Sequence, residues 1–257
     1  MSINAKFDIL FSGFLKTLKA EAGMKNWGSI LEPACLYADQ GISNVRELAK
    51  VVKRFQCRSA VVHYADVQFL FDLSVERIAV VIDFPYGKGG IVQRHLCANQ
   101  IFKRRISKID ICVNFADVLN KAFDRVEHDF NKFQRYTERI LFPEIKAIIQ
   151  LPYLWQYAPD LIEPLATALA NAGVNVIKDW TTVFNFSKPI DVSIEKRVEY
   201  LNHLREIIAK RNLPLKIKIA GGVRKENARA FVDGGADILG VSVQFVPDVI
   251  KALESSE

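Results

Sequence analysis

Two lysines and an aspartate stand inside apolar runs of the sequence, where a charge has no ordinary place. Lys218 lies in LKIKIA (Leu215 to Ala220), Lys178 ends VNVIK (Val174 to Lys178), and Asp110 sits in KIDICVNF, residues 108–115. In a strand, successive side chains point to opposite faces. Lys216, Lys218 and Ala220 then share one face, with Leu215, Ile217 and Ile219 on the other. Asp110 shares its face with Cys112 and Asn114, opposite Ile109, Ile111 and Val113. If the apolar faces pack against helices, Asp110, Lys178 and Lys218 point inward, where unpaired charge is costly. A structural ion pair, with strand-end lysines reaching solvent, would account for any one of them. Two lysines converging on one carboxylate suggest a Schiff-base site. An amine attacks a carbonyl only when neutral, and free lysine titrates near ~10.4. A second ammonium at ~6 Å, with an effective dielectric near ~20, opposes protonation by roughly 3 kcal/mol, or about 2 pKa units. Burial acts in the same direction. The carboxylate can relay protons.

Other polar groups carry less. His63, His95, His128 and His203 show no metal spacing, so neither a metal nor a cofactor is expected. His63, at the end of a strand, is either a pocket-mouth residue or a hydrogen-bonded structural histidine. Gly87-Lys88-Gly89-Gly90 lacks the spacing and hydroxyl of a nucleotide loop and reads as a strand-to-helix connection. Asp124, Glu127 and Asp129 read as the solvated side of a long helix. No Gly-x-Ser-x-Gly elbow supports a serine hydrolase.

The elements that would position these residues alternate. Strands are predicted at Ser59 to His63, Ile78 to Phe84, Ile109 to Phe115, Ile145 to Gln150, Val174 to Lys178, Leu215 to Ala220 and Ile238 to Ser242. One more short strand is expected just before Pro33. Between them the spacing predicts helices such as Asn44 to Phe55, Ala116 to Leu141, Leu161 to Ala172, Ile194 to Lys210 and Lys225 to Asp233. Strands alternating with helices imply parallel pairing through crossovers. Eight units in 257 residues is the arithmetic of a TIM (β/α)8 barrel, with a doubly wound open sheet as competitor. Phe7, Leu10, Phe11, Phe14, Leu15 and Leu18 recur at helical spacing, so an extra N-terminal helix over residues 1–25 is expected to close one end of a single domain.

Composition agrees with an ordinary globular protein: 50% of residues are hydrophobic and 25% charged. No apolar run approaches the ~20 residues needed to cross a bilayer, and no signal peptide is evident. Four dispersed cysteines argue for a reducing compartment, hence the cytoplasm, and against a zinc ribbon. The net charge of +6 would suit nucleic acid or phosphorylated metabolites. The cations are spread along the chain, and the tight cluster Lys103-Arg104-Arg105 follows a helical stretch as a solvated helix end would. Neither nucleic acid nor membrane is therefore expected as a partner.

The segments VVIDFPYG (Val80 to Gly87), KIDICVN (Lys108 to Asn114), NVIKDWTT (Asn175 to Thr182), KIAGGVR (Lys218 to Arg224) and GGADILGVS (Gly234 to Ser242), in this order, resemble the deoxyribose-phosphate aldolase family of class I aldolases on TIM barrels. The resemblance implies that Lys178 forms the Schiff base, that Lys218 is the second lysine lowering its pKa, and that Asp110 belongs to the proton relay. It implies a small phosphorylated sugar as substrate, 2-deoxyribose 5-phosphate, held through backbone N–H groups around Gly221, Gly222, Gly240 and Ser242. Loops after the last two strands are the usual phosphate site of this barrel, and a homodimer is one possible assembly. The sequence departs from the family where Thr-Ser-Thr-Gly is usual after the lysine: here stand Asp179, Trp180, Thr181 and Thr182. The ring and the extra carboxylate are expected to change the wall beside the reacting carbon, and the carboxylate to weaken binding of a phosphate dianion. Asp83 replaces a usual glycine, Gln150 a usual glutamate, and the final residues, Leu253 to Glu257, carry no tyrosine. A different aldehyde substrate, or a catalytically weak barrel retained for binding, are the alternatives.

Overall fold

The computed structural model describes residues 26–137 and 143–255. Eight strands, β1 Leu31–Cys35, β2 Ala60–Val62, β3 Ile78–Ile82, β4 Lys108–Cys112, β5 Glu144–Ile148, β6 Val176–Lys178, β7 Lys216–Ala220 and β8 Ile238–Ser242, pair in parallel in chain order. β8 then returns to β1, from Leu31 against Leu239 to Ala34 against Ser242. That pairing closes the sheet, so the fold is a TIM (β/α)8 barrel and the open sheet is excluded.

The α-helices of the described residues are α1 Ile42–Arg54, α2 Val67–Asp72, α3 Gly90–Lys103, α4 Phe115–Leu119, α5 Phe123–Thr137, α6 Leu151–Tyr157, α7 Ile162–Asn171, α8 Ile194–Lys210, α9 Ala228–Asp233 and α10 Val246–Glu254. Strand residues Ile109, Ile111, Ile217 and Ile219 form one apolar layer with Leu48, Phe130, Leu165, Leu204 and Phe231 of these helices. A separate small cluster, Val61, Ala79 and Val81, with Ala34, Leu36 and Phe84 against it, fills the β1–β3 side of the barrel interior. The β4 to β7 side of the interior carries polar residues of alternating parity alongside Cys112, Ile148, Val176 and Ala220.

Three expectations need correction. β1 does not stop before Pro33 but runs through it. Pro33 lies opposite Val241, and pairing to β2 is registered only at Ala34 and Cys35, so the missing N–H falls where one neighbour is absent. The helix expected from Ala116 to Leu141 is broken into α4 and α5, because Lys121 adopts a left-handed backbone (φ +57°). Asn114 does not face the interior: its side chain accepts from the Ala116 N–H and caps α4. The N-terminal helix expected over residues 1–25 lies outside the described residues.

The turn leaving β3 depends on Gly87. Its φ is +66°, and a Cβ built there would sit 2.1 Å from the Val113 carbonyl oxygen. Gly87→Ala is therefore expected to cost more than about 1 kcal/mol, read as a lower urea midpoint at unchanged slope.

Candidate active site

Parity places Asp110 of β4, Lys178 of β6 and Lys218 of β7 inside the barrel, and the three side chains meet. Asp110 Oδ2 lies 2.9 Å from Lys218 Nζ and 3.5 Å from Lys178 Nζ. Sharing one oxygen holds the two amines as near neighbours. All three residues are buried.

Two further charged residues complete the cluster, and sequence reasoning missed both. Lys146 of β5 donates to Asp110 Oδ1 at 3.0 Å and lies 3.2 Å from Glu32 Oε1. Glu32 of β1 accepts from Ser59 Oγ at 2.8 Å and from Lys218 Nζ. Lys146 sits among Ile145, Ala147 and Ile148, the same signature that singled out Lys218. Glu32 lies in the short strand expected before Pro33, but that strand had no bounds from which its face could be read. Toward the N-terminal end of the barrel the network continues through Glu144, 3.3 Å from Lys146, to Arg58.

This environment treats the lysines differently. Burial first, and then the Lys218 ammonium, lower the Lys178 pKa, against the opposing pull of Asp110. For Lys146, burial opposes the charge, but Asp110, Glu32 and Glu144 together outweigh it and the pKa rises. Burial would also protonate Glu32, yet Lys146 and Lys218 hold its pKa at about 2. The same balance keeps Asp110 ionised, with Lys146, Lys218 and Lys178 overcoming burial. Cys112, on the Asp110 face of β4, stays a thiol: burial pushes it up to about 12.

A cavity of about 60 Å³ opens above the lysines at the C-terminal end of the barrel. That is about twice the ~30 Å³ share of one liquid water, room for the head of a small aldehyde. Gly221, Gly240 and Ser242 border it. Gly222 is not in the cavity wall; its carbonyl accepts from Asn227 Nδ2. A larger cleft of about 620 Å³ between α3 and α5 holds none of the clustered lysines. Among the described residues no cluster suited to a metal ion occurs.

The residues after Lys178 depart from expectation. Asp179 does not enter the cavity. It is fully buried on the opposite side of β6, where Oδ2 accepts from Arg197 Nη2 at 2.9 Å and from the Tyr200 hydroxyl at 3.0 Å. Its Oδ1 accepts from the Ala220 N–H at 2.8 Å. The Trp180 indole donates to the Ala220 carbonyl and is likewise absent from the cavity wall. Strand parity alone separates residue 179 from residue 178 and could have shown this. Thr181 and Thr182 are the residues that reach the cavity. Gln150 (φ +56°) steadies this turn, accepting weakly from the Thr181 N–H at 3.4 Å.

Other residues settle into structural roles. His63 contacts the Leu36 carbonyl oxygen at 3.2 Å and lies edge-on to Phe84. Asp129 is not on a solvated face: it pairs with Arg94 and His95. Lys103, Arg104 and Arg105 do form an exposed helix end.

Because the Glu32 pKa is depressed on folding, its contribution is fully present above ~4.5 and is lost as pH falls through about 2. Glu32→Gln is expected to destabilise the protein at neutral pH by about 3–5 kcal/mol, the cost of an uncompensated buried charge. It should also flatten the loss of stability between pH ~5 and ~2. Denaturant titrations at pH 7 and pH 3 check both.

Comparison with known proteins adds a family likeness. No protein-family model matches the chain. The deoxyribose-phosphate aldolase of Mycoplasmoides pirum is 22% identical over 221 residues, which cover 84% of this chain and 94% of that one. That of Streptococcus pyogenes is 27% identical over 166 residues, 64% of this chain and 67% of its own. Among solved structures, the tetrameric deoxyribose phosphate aldolase from Aeropyrum pernix superposes with a TM-score of 0.70 at 19% identity, covering 88% of this chain and 91% of that one. An aldolase named QR15 gives 0.75 at 19%, over 91% and 100%. In sequence over most of its length, and in fold, the chain resembles the deoxyribose-phosphate aldolases.

Proposed function

We propose that this protein is a class I aldolase in which Lys178 forms the Schiff base. The observation that carries this reading is a buried lysine of lowered pKa, opening on a cavity and sharing an aspartate oxygen with a second lysine. The family likeness makes 2-deoxyribose 5-phosphate the first substrate to test.

On that substrate the neutral Lys178 amine adds to the C1 aldehyde, and loss of water gives a protonated imine. A base takes the C3 hydroxyl proton, the C2–C3 bond breaks, and its electron pair moves into the imine, neutralising the nitrogen. Glyceraldehyde 3-phosphate leaves. The remaining enamine is protonated at C2, and one water hydrolyses the imine to release acetaldehyde and the free amine. Asp110 and Lys218, hydrogen-bonded to each other beside Lys178, would move the protons directly or through water. The Aeropyrum pernix enzyme is tetrameric, and an oligomer of identical chains belongs to this reading.

Borohydride reduction in the presence of acetaldehyde should add an ethyl group to Lys178, found by peptide mass spectrometry. Lys178→Ala should abolish both label and turnover in a protein that still folds. Label on another lysine, or robust cleavage by Lys178→Ala, overturns the assignment, and a folded protein with neither label nor cleavage would be a binding barrel.

The rate of imine formation should rise with pH through the lowered Lys178 pKa, below the ~10.4 of free lysine. Lys218→Met removes the neighbouring positive charge and should move that inflection to higher pH. An inflection that stays in place in the variant would show that Lys218 does not tune the amine.

A further inference from the structure

The outer part of the cavity bears on what the aldehyde carries at its far end. Its apolar wall comes from Leu36, Phe84 and Val183, with Tyr37 at the edge, while its charged groups are Glu32, Lys178 and Lys218 of the barrel cluster. The nearby guanidinium groups are engaged elsewhere. Arg197 donates to Asp179 and to the Ala220 and Gly221 carbonyls, and Arg224 lies 3.5 Å over the Phe245 ring. A phosphate dianion leaving water needs cations or several well-aimed donors. The glycine turn is where such donors would be, and a threonine stands against it.

Thr182 is β-branched yet has φ +69°, a backbone region such residues rarely occupy. It faces Gly221, whose φ is +77°. A Cβ on Gly221 would lie 1.6 Å from Thr182 Cγ2, so the threonine methyl fills the space above the bare glycine. Both residues line the cavity, so this contact is part of its wall. Strain of this kind persists where the surroundings enforce it, and it concentrates at functional sites.

We propose that Thr182 determines the substrate class, closing the Gly221 turn to a phosphate group and suiting the outer cavity to an aldehyde with an uncharged tail. This rests on the Schiff-base reading of Lys178 and refines its substrate. Thr182 acts by occupying space and leaving no charge, while the amine chemistry below it is the same for either substrate.

The test is the ratio of kcat/KM for 2-deoxyribose 5-phosphate over 2-deoxyribose, in wild type, Thr182→Gly and Thr182→Ser. Wild type should favour the unphosphorylated sugar. Thr182→Gly should move the ratio toward the phosphate by about tenfold or more, as a freed pocket volume of one small side chain allows. Thr182→Ser, which removes only the methyl, should move it in the same direction by less and serves if the glycine variant does not fold. A wild-type preference for the phosphate, or an unmoved ratio in the variants, overturns the proposal. Borohydride labelling of wild type with acetaldehyde reads the amine separately. Label on Lys178 with an unmoved ratio removes this inference alone, whereas no label at Lys178 removes both.

Discussion

The contact on which the rest of the molecule depends is that of one carboxylate, Asp110, with three lysines in the buried interior of the barrel. Buried ions are stable only when each finds its partners, and breaking one pair leaves a costly bare charge. The lysines are graded by their carboxylate contacts. Lys146 has Asp110, Glu32 and Glu144 within 3.3 Å; Lys218 touches Glu32 and Asp110; Lys178 reaches Asp110 alone, at 3.5 Å. The amine with the weakest claim on negative charge is therefore the easiest to leave uncharged. It is also the one beside the cavity. Stability and reactivity follow from the same uneven sharing of carboxylates among the three amines.

A second buried network fixes the same strand from outside. Asp179 ties the end of β6 to Arg197 and Tyr200 of α8 and to the backbone of Ala220 at the end of β7. Arg197 in turn donates to the Ala220 and Gly221 carbonyls. Residues 178 and 179 thus grip opposite sides of the barrel wall. An aspartate that would burden an anion site had it faced inward instead fixes the strand end carrying the amine and the turn carrying Gly221.

Much of this was legible in the sequence because it depends on period. Alternation of β-branched runs and helical spacing gave the barrel, and parity within strands gave Asp110, Lys178 and Lys218. Lys146 is legible by the same rule, standing between Ile145 and Ala147. Glu32 is not, since the short strand before Pro33 has too few residues on the proline's near side for its parity to be read. The break between α4 and α5 was equally hidden: Lys121 turns left-handed without being a residue type that announces a turn. Membership of the cavity wall by Thr182 depends on a backbone angle and a facing glycine, which no local pattern encodes.

Left-handed residues show how local geometry divides into scaffold and site. Gln56, Ser74, Arg105, Lys121 and Asn212 each stand two positions past the end of a helix, α1, α2, α3, α4 and α8 in turn. There a left-handed residue is a routine stop. Asp83, Gln150 and Thr182 instead follow strands β3, β5 and β6, at the barrel end where the cavity opens. At two of these the strain is held by hydrogen bonds into the same rim: Asp83 accepts from the Gly89 N–H at 2.8 Å, and Gln150 engages Thr181. Thr182 is held by packing against Gly221. Strands deliver side chains at fixed parity, so reaching sideways across the barrel mouth requires an abrupt turn after the last paired residue. The strain at this end is the geometric cost of turning a rigid wall into a site.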